Sequence, residues 1–327
     1  MSQIYLLPEM RDDETTKVVN VASVPQRSPF RYPGGKTWLV PLFRRWLESF
    51  HEKPQLLIEP FAGGGIISLT AAFEKLTKRV LMVELDGQVA AVWETILHGG
   101  AEWLAKRILD FDLSVETAKA EFEKKTNTVR DLAFQTILKN RTAHGGILAN
   151  GAGVLKHGEN GKGILSRWYP QTIARRIRTI PSVSNRLLFE KGDAFEVLSR
   201  HSNNPNAVFF IDPPYTAGGK RAGSRLYNHC EIDHERLFSL CEKLQGDFLM
   251  TYDNAEEVRV LAIRHGFIVK PVAMKNTHHA EMTELLIGKD LRWLESPTAL
   301  RESPVPYVVH TRKPEKRNGR TRLQSVS

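Results

Sequence analysis

Apolar and polar positions along this chain run first with the period of strands and then with that of helices, and the alternation predicts an open α/β sheet. Leu56-Leu57-Ile58 is a short apolar run that leads into Glu59-Pro60-Phe61-Ala62-Gly63-Gly64-Gly65, as a buried strand leads into a glycine-rich turn. The apolar stretch from Ile66 to Leu76 predicts the helix that follows, and Val80 to Val83 a second strand closed by Glu84. The same pattern returns at Leu187 to Glu190, the Gly192-Asp193 turn, a helix over Ala194 to Arg200 and the strong strand Ala207-Val208-Phe209-Phe210-Ile211. A helix from His234 to Leu244, a strand near Phe248 to Thr251 and a helix from Ala255 to His265 come next. Phe267 to Ala273 and Leu285 to Ile287, split by a polar loop, predict a terminal antiparallel pair. Strands that alternate with helices imply a parallel sheet, and no internal repeat is visible.

From about Gly99 to Arg186 the alternation fails, over a stretch too long for an ordinary connection, which predicts an inserted domain. It holds a helical section through Leu138, a glycine-rich segment from Gly145 to Gly163, and then Arg167, Arg175, Arg176 and Arg178. The expected organisation is a loose arm over 1–26, a core over 27–98 and 187–295, an insertion over 99–186 and a tail over 296–327. The tail mixes Arg312, Lys313, Lys316, Arg317, Arg320 and Arg322 with Pro314, Asn318 and Gly319, which suits disorder. Such a tail either brushes a nucleic-acid backbone or only aids solubility.

Composition narrows the partner. The 327 residues are 41% hydrophobic and 25% charged, enough for a full core, and the formal charge of +9 suits a partner rich in phosphate. Nothing approaches the about 20 continuous apolar residues of a membrane span. Glu9, Asp12, Asp13 and Glu14 near the start do not fit a signal sequence, so a cytoplasmic location is expected. The two cysteines, Cys230 and Cys241, match neither a disulfide framework nor a zinc knuckle, and no metal is expected.

Ligands of open parallel sheets bind at the carboxyl ends of strands, where three motifs fall. Glycines at 63–65 allow close backbone approach beside a helix N-terminus, and Glu84 can accept both hydroxyls of a ribose. Those two features alone fit a nicotinamide dehydrogenase equally well, although the spaced glycine fingerprint of a dinucleotide site is missing. Gly35-Lys36-Thr37 imitates the end of a phosphate-binding loop, but Phe30 stands where that motif needs its first glycine.

The third motif carries the chemistry. Phe209-Phe210-Ile211 runs straight into Asp212-Pro213-Pro214-Tyr215, and two prolines make a rigid extended corner. The corner presents the Asp212 carboxylate and the Pro213 carbonyl as neighbouring acceptors, with Tyr215 as an aromatic face for a base. An exocyclic amine has two hydrogens to give to such a pair. Its lone pair is otherwise delocalised into the ring; drawing on both N–H bonds favours a pyramidal nitrogen able to attack a methyl sulfonium. Positioning supplies the rest, up to about 7–11 kcal/mol in favourable intramolecular cases.

Taken together, four segments resemble the adenine-N6 DNA methyltransferases of the Dam type (D12 class), and the resemblance runs from about Pro29 to Leu294. They are Pro29-Phe30-Arg31-Tyr32-Pro33-Gly34-Gly35-Lys36, the Glu59 to Gly65 turn, Glu84-Leu85-Asp86, and Asp212-Pro213-Pro214-Tyr215, in the family's order. The resemblance implies a class I S-adenosylmethionine-dependent methyltransferase (Rossmann-like) sheet with a mainly helical, inserted DNA-recognition domain. It implies that Tyr32 and Lys36 contact the cofactor, that Glu84 holds its ribose, and that Asp212 lies beside both cofactor and target amine. Phe61, Gly63, Gly65 and Asp193 complete the expected cofactor set. The expected partner is duplex DNA, with the adenine flipped out of the stack.

The sequence departs from the family at three places. Tyr32 stands for a tryptophan and Glu84 for an aspartate, swaps that keep the chemistry. Asn140-Arg141-Thr142-Ala143-His144-Gly145-Gly146 replaces the asparagine-glycine-arginine signature of the GATC-specific enzymes, so no recognition sequence carries over. Asn140, Arg141, Lys220 and Arg221 are the expected DNA contacts. Tyr252-Asp253-Asn254 either walls the base pocket or caps the helix after it, and His278-His279 with Glu281 reads as a surface or substrate loop, not a metal site. The rivals are a methyltransferase for RNA adenine, cytosine N4 or a protein glutamine, and a noncatalytic DNA-binding protein that keeps the fold.

Overall fold

The five residues of Ala207–Ile211 are all buried, and they form the middle of a seven-stranded sheet. The computed structural model describes residues 24–31, 35–143, 146, 148, 161–214, 232–275 and 281–295. The strands are β1 (Leu56–Glu59), β2 (Arg79–Glu84), β3 (Leu187–Lys191), β4 (Ala207–Ile211), β5 (Asp247–Asp253), β6 (Ile268–Lys275) and β7 (Glu281–Gly288). Their order across the sheet is β3-β2-β1-β4-β5-β7-β6; β1 to β5 pair in parallel, and β7 runs antiparallel between β5 and β6. The order turns back on itself between β1 and β4, and in open sheets of this kind the carboxyl ends of the strands at such a switch point form the ligand crevice.

Helices cover both faces. On β4, Val208 and Phe210 point into the core cluster that holds Phe43, Trp46 and Ile67, while Ala207, Phe209 and Ile211 point into the one that holds Leu237 and Phe238. This two-sided burial accounts for the unbroken apolar runs of the central strands. Val40–Glu48, for which the periodicity above predicts no element, forms α1, with a proline in its first turn and Phe43 and Trp46 fully buried against the sheet.

Helix α2 (Ile66–Phe73) stops short of the expected Leu76. Lys75 takes the left-handed conformation, φ 57°, and the Leu76 N–H donates back to the Ala71 carbonyl, a tight C-terminal cap that ends the helix. Helix α3 (Gly87–Thr95) is capped by Asp86, whose carboxylate accepts from Gln88 N and Val89 N.

Among the described residues, the α-helices before β3 continue with α4 (Ala101–Leu109), α5 (Val115–Glu123), α6 (Val129–Thr142) and α7 (Pro170–Thr179). Leu104, Ile108, Phe134, Ile137, Ile173 and Ile177 from this stretch join the same core cluster as the sheet, so its apolar interior is continuous with that of the core. The chain continues through α8 (Ala194–His201), α9 (His234–Lys243) and α10 (Glu256–Arg264). Ala255, not Asp253 or Asn254, takes the N-cap position of α10, and Asn254 accepts from Arg259 instead of capping. The arm and tail expected at the two ends, apart from residues 24–26, lie outside the described residues, as do Cys230 and the loop with His278 and His279. Among the described residues no helix is long and apolar enough to cross a membrane.

Candidate active site

The turn after β1 shows why glycine is needed there. Gly63 and Gly65 take φ of 46° and 63°, and a Cβ on Gly65 would stand 2.6 Å from Met82 Cε and 2.9 Å from the Trp93 ring. Trp93 Nε1 also donates to the Gly63 carbonyl at 2.9 Å. Gly65 caps α2 without a side chain, and the cap comes instead from Glu59 at the end of β1. Glu59 Oε2 accepts from Ser68 N at 3.0 Å and from the Ser68 hydroxyl, in the first turn of α2, where a carboxylate favours the helix dipole. Phe61 is half-buried beside it.

Glu84 closes β2 and reaches the same turn. Its Oε2 accepts from Gly63 N at 2.8 Å and its Oε1 from Asp86 N at 2.9 Å, so the carboxylate ties the second strand end to the first. Burial pushes its pKa up to about 7, against the pull of these N–H donors. Asp193 occupies the next strand end, where its Oδ1 caps α8 by accepting from Phe195 N and Glu196 N.

Across the crevice, Asp212 leaves β4 with Pro213 buried behind it. Its Oδ1 accepts from the Thr251 hydroxyl at 2.7 Å and lies 3.0 Å from Lys36 Nζ. Lys36, in the 3-10 turn Lys36–Leu39, is only 4% exposed and also pairs with Glu284 of β7 at 3.4 Å. Carboxylates from the end of β4 and from β7 thus converge on one ammonium, and Thr251 of β5 bonds the first of them. Thr251 and Glu284 are functional candidates that the motifs above do not include. Thr251 carries a signal, because it interrupts the apolar run of β5 and a buried polar residue there needs a partner; Glu284 precedes the apolar run Leu285-Leu286-Ile287, and nothing local marks it.

Burial of Glu59, with Asp212 and Glu84 nearby, pushes its pKa up to about 8. A carboxyl raised in the fold favours the native state most below its unfolded value, and that contribution is lost as pH rises towards the folded value. Glu59→Gln keeps an acceptor for Ser68 without the charge. Its melting temperature relative to wild type is expected to climb between pH 4.5 and 8 and then level off, by at most about 1.4 kcal/mol per pH unit in stability. A difference independent of pH in thermal melts would contradict this.

Two of the expected DNA contacts are placed elsewhere. Asn140 is fully buried at the end of α6: its Oδ1 accepts from Arg31 N at 2.8 Å, and its Nδ2 donates to the Arg31 and Gly146 carbonyls, each at 2.8 Å. Arg141 is 7% exposed and donates to the Pro29 carbonyl, while Arg176 of α7 donates to Ser28 O at 3.0 Å. Burial, with Arg176 and Arg31 nearby, lowers the Arg141 pKa to about 10. These side chains hold the segment 28–31, which leads to Lys36; they are not laid out on a surface for bases. Gly146 is part of the same knot, since a Cβ on it would stand 2.3 Å from the Arg31 carbonyl oxygen.

Tyr252 does not wall this crevice. It turns to the opposite face of the sheet, fully buried, with its hydroxyl 2.8 Å from His234 Nδ1. Tyr32, Tyr215, Lys220 and Arg221 lie outside the described residues. Among the described residues no group of three or more His, Cys, Asp or Glu side chains is placed to hold a metal ion.

The sheet order, with its one antiparallel strand inserted next to last, is the class I S-adenosylmethionine-dependent methyltransferase (Rossmann-like) fold. No family model matches this sequence, and no curated protein matches it. Solved structures that it resembles include an rRNA methyltransferase from Streptomyces viridochromogenes (13% identity, 82% of this chain and 90% of that one, TM-score 0.37). Others are a precorrin-6y C5,15-methyltransferase from Geobacter metallireducens (9%, 85% and 93%, TM-score 0.34) and an rRNA methylase from Streptococcus thermophilus (9%, 77% and 96%, TM-score 0.31).

Proposed function

We propose that this chain transfers a methyl group from S-adenosylmethionine to the N6 nitrogen of adenine in duplex DNA. The observation that carries the proposal is the Asp212 corner. A carboxylate stands at the switch point of a class I fold, oriented through one oxygen by Thr251 and Lys36. The Asp-Pro-Pro-Tyr sequence around it is the feature that selects an exocyclic amine.

The crevice suits the donor. The carboxyl groups of Glu84, Asp212 and Asp253 lie at the ends of β2, β4 and β5, with Glu284 of β7 opposite Asp253, and the negative charge of those that are ionised favours a cationic ligand. Gly63 and Gly65 would let the backbone close on it, Glu84 would take its ribose hydroxyls, and Phe61, Asp193, Tyr32 and Lys36 would complete the pocket. When bound, S-adenosylmethionine supplies an electrophilic methyl group on a positively charged sulfur.

The chain's own residues do the rest. Asp212 and the Pro213 carbonyl accept the two N6 hydrogens, and Tyr215 stacks on the base. Thr251 and Lys36 keep the carboxylate from rotating away, so no reorganisation is needed as charge develops on the nitrogen. One N6 proton leaves to water after transfer. The base must be flipped to reach the corner, because N6 is paired within the duplex. Target recognition falls to the basic stretch 99–186, with Lys220 and Arg221 on the phosphates beside the corner.

Purified protein with methyl-labelled S-adenosylmethionine is expected to label duplex DNA and yield N6-methyladenine on digestion. Sequencing of DNA from expressing cells, read for modified bases, then gives the motif. Label confined to RNA, N4-methylcytosine or a protein side chain would overturn the substrate assignment, and binding of DNA without label would overturn the enzyme.

A further inference from the structure

Glu284 belongs to none of the motifs at the strand ends, yet it is 4% exposed beside the apolar Leu285-Leu286-Ile287. A carboxylate in such a place is costly unless paired. Its partner is Lys36 Nζ at 3.4 Å, and the same Nζ lies 3.0 Å from Asp212. One buried ammonium therefore serves two carboxylates from different strands. Among the described residues, the charged groups that face Glu284 are Lys36 from the turn before α1, Asp212 after β4 and Asp253 opposite it on β5, while β6 presents Val272.

We propose that Glu284 is a positioning residue for methyl transfer: when ionised it takes a share of the Lys36 charge, and Asp212 is left a stronger acceptor for the amine hydrogen. The proposal rests on the role given to Asp212 above. An ammonium held between two anions polarises each less than it would polarise one alone. With Glu284 neutral, more of the Lys36 charge falls on Asp212, and the carboxylate oxygens are poorer acceptors at the moment the nitrogen becomes positive. Burial, with Asp212 and Asp253 close by, pushes the Glu284 pKa up to about 7 against the pull of Lys36, so this sharing changes in the neutral range.

The test compares wild type, Glu284→Gln and Glu284→Asp by kcat and KM across neutral pH, with duplex DNA and S-adenosylmethionine. Wild-type kcat is expected to rise as pH passes about 7. The Gln variant is expected to be about tenfold slower above that point, with no such rise and an unchanged KM, and the Asp variant to recover part of the rate and the rise. A Gln variant with wild-type kcat and pH profile overturns the proposal; so does one whose profile is intact and whose only defect is a lower melting temperature.

A second measurement needs no substrate. In protein carrying ¹³C-carboxyl glutamate, the Glu284 titration is expected to move to lower pH in Asp212→Asn, because a like charge is gone and Lys36 turns to Glu284. A titration that does not move overturns the sharing. If the wild type methylates no substrate, the proposed function fails, and this shift still decides whether the three groups act as one unit.

Discussion

Asp212→Ala is expected to lower methyl transfer by about 10³-fold or more while the protein melts within a few degrees of wild type. The loss follows from the role of the side chain: it is the acceptor that pulls on the amine hydrogen, and its Oδ1 already holds two donors that fix its direction. The fold survives because the side chain is 22% exposed at a strand end, outside the core. Lys36, whose burial would be costly if it lost both anions, keeps Glu284. Asp212→Asn retains an acceptor oxygen without the charge and is expected to fall between the two. Radiolabel transfer with thermal melts on the same preparations checks both halves, and a fully active Ala variant would end this mechanism.

The second large effect is expected far from the chemistry. Asn140→Ala strips the bonding partner from Arg31 N, Arg31 O and Gly146 O at once. The bond to the Gly146 carbonyl is buried and the two at Arg31 are part-buried; a buried backbone group left unsatisfied costs about 1–3 kcal/mol, so a stability loss of about 2 kcal/mol is expected in denaturant unfolding. Because Arg31 is five residues before Lys36, the variant is also expected to bind S-adenosylmethionine more weakly in calorimetry. Arg141→Met carries the companion test. A phosphate-contacting arginine would contribute about one unit to the salt slope of DNA binding; Arg141, turned onto the Pro29 carbonyl, is expected to leave that slope unchanged. A slope reduced by one would return Arg141 to the DNA interface.

Most of the sheet was legible in the sequence because burial on both faces writes long apolar runs, and glycine or proline marks where they stop. Leu56 to Ile58, Val80 to Val83 and Ala207 to Ile211 are all strands where expected, and the last two elements pair antiparallel. α1 escaped because arginines at 44 and 45 and a proline at 41 obscure its apolar face until Phe210 is there to meet Phe43. α2 ended early because a lysine took a backbone conformation that composition does not announce. The strand-end motifs were legible for a related reason: Gly65 and the Asp212-Pro213-Pro214 corner are local devices, whose requirement for a special backbone shows in the residue types themselves.

What the sequence by itself determined is therefore the alternation of elements, the carboxyl-end placement of the glycine turn, Glu84 and Asp212, and the basic character of the whole. Tertiary structure alone decided the partners of the polar residues. Asn140 and Arg141 look on paper like groups waiting for a base, and the fold ties them to Arg31 and Pro29, more than a hundred positions away. Glu284 looks like one polar residue before a terminal apolar run, and the fold places it on the lysine that also holds Asp212. The physical reason is common to both: backbone preference is local and can be read from neighbours, whereas the pairing of a buried polar group depends on which distant segment is brought within about 3 Å of it.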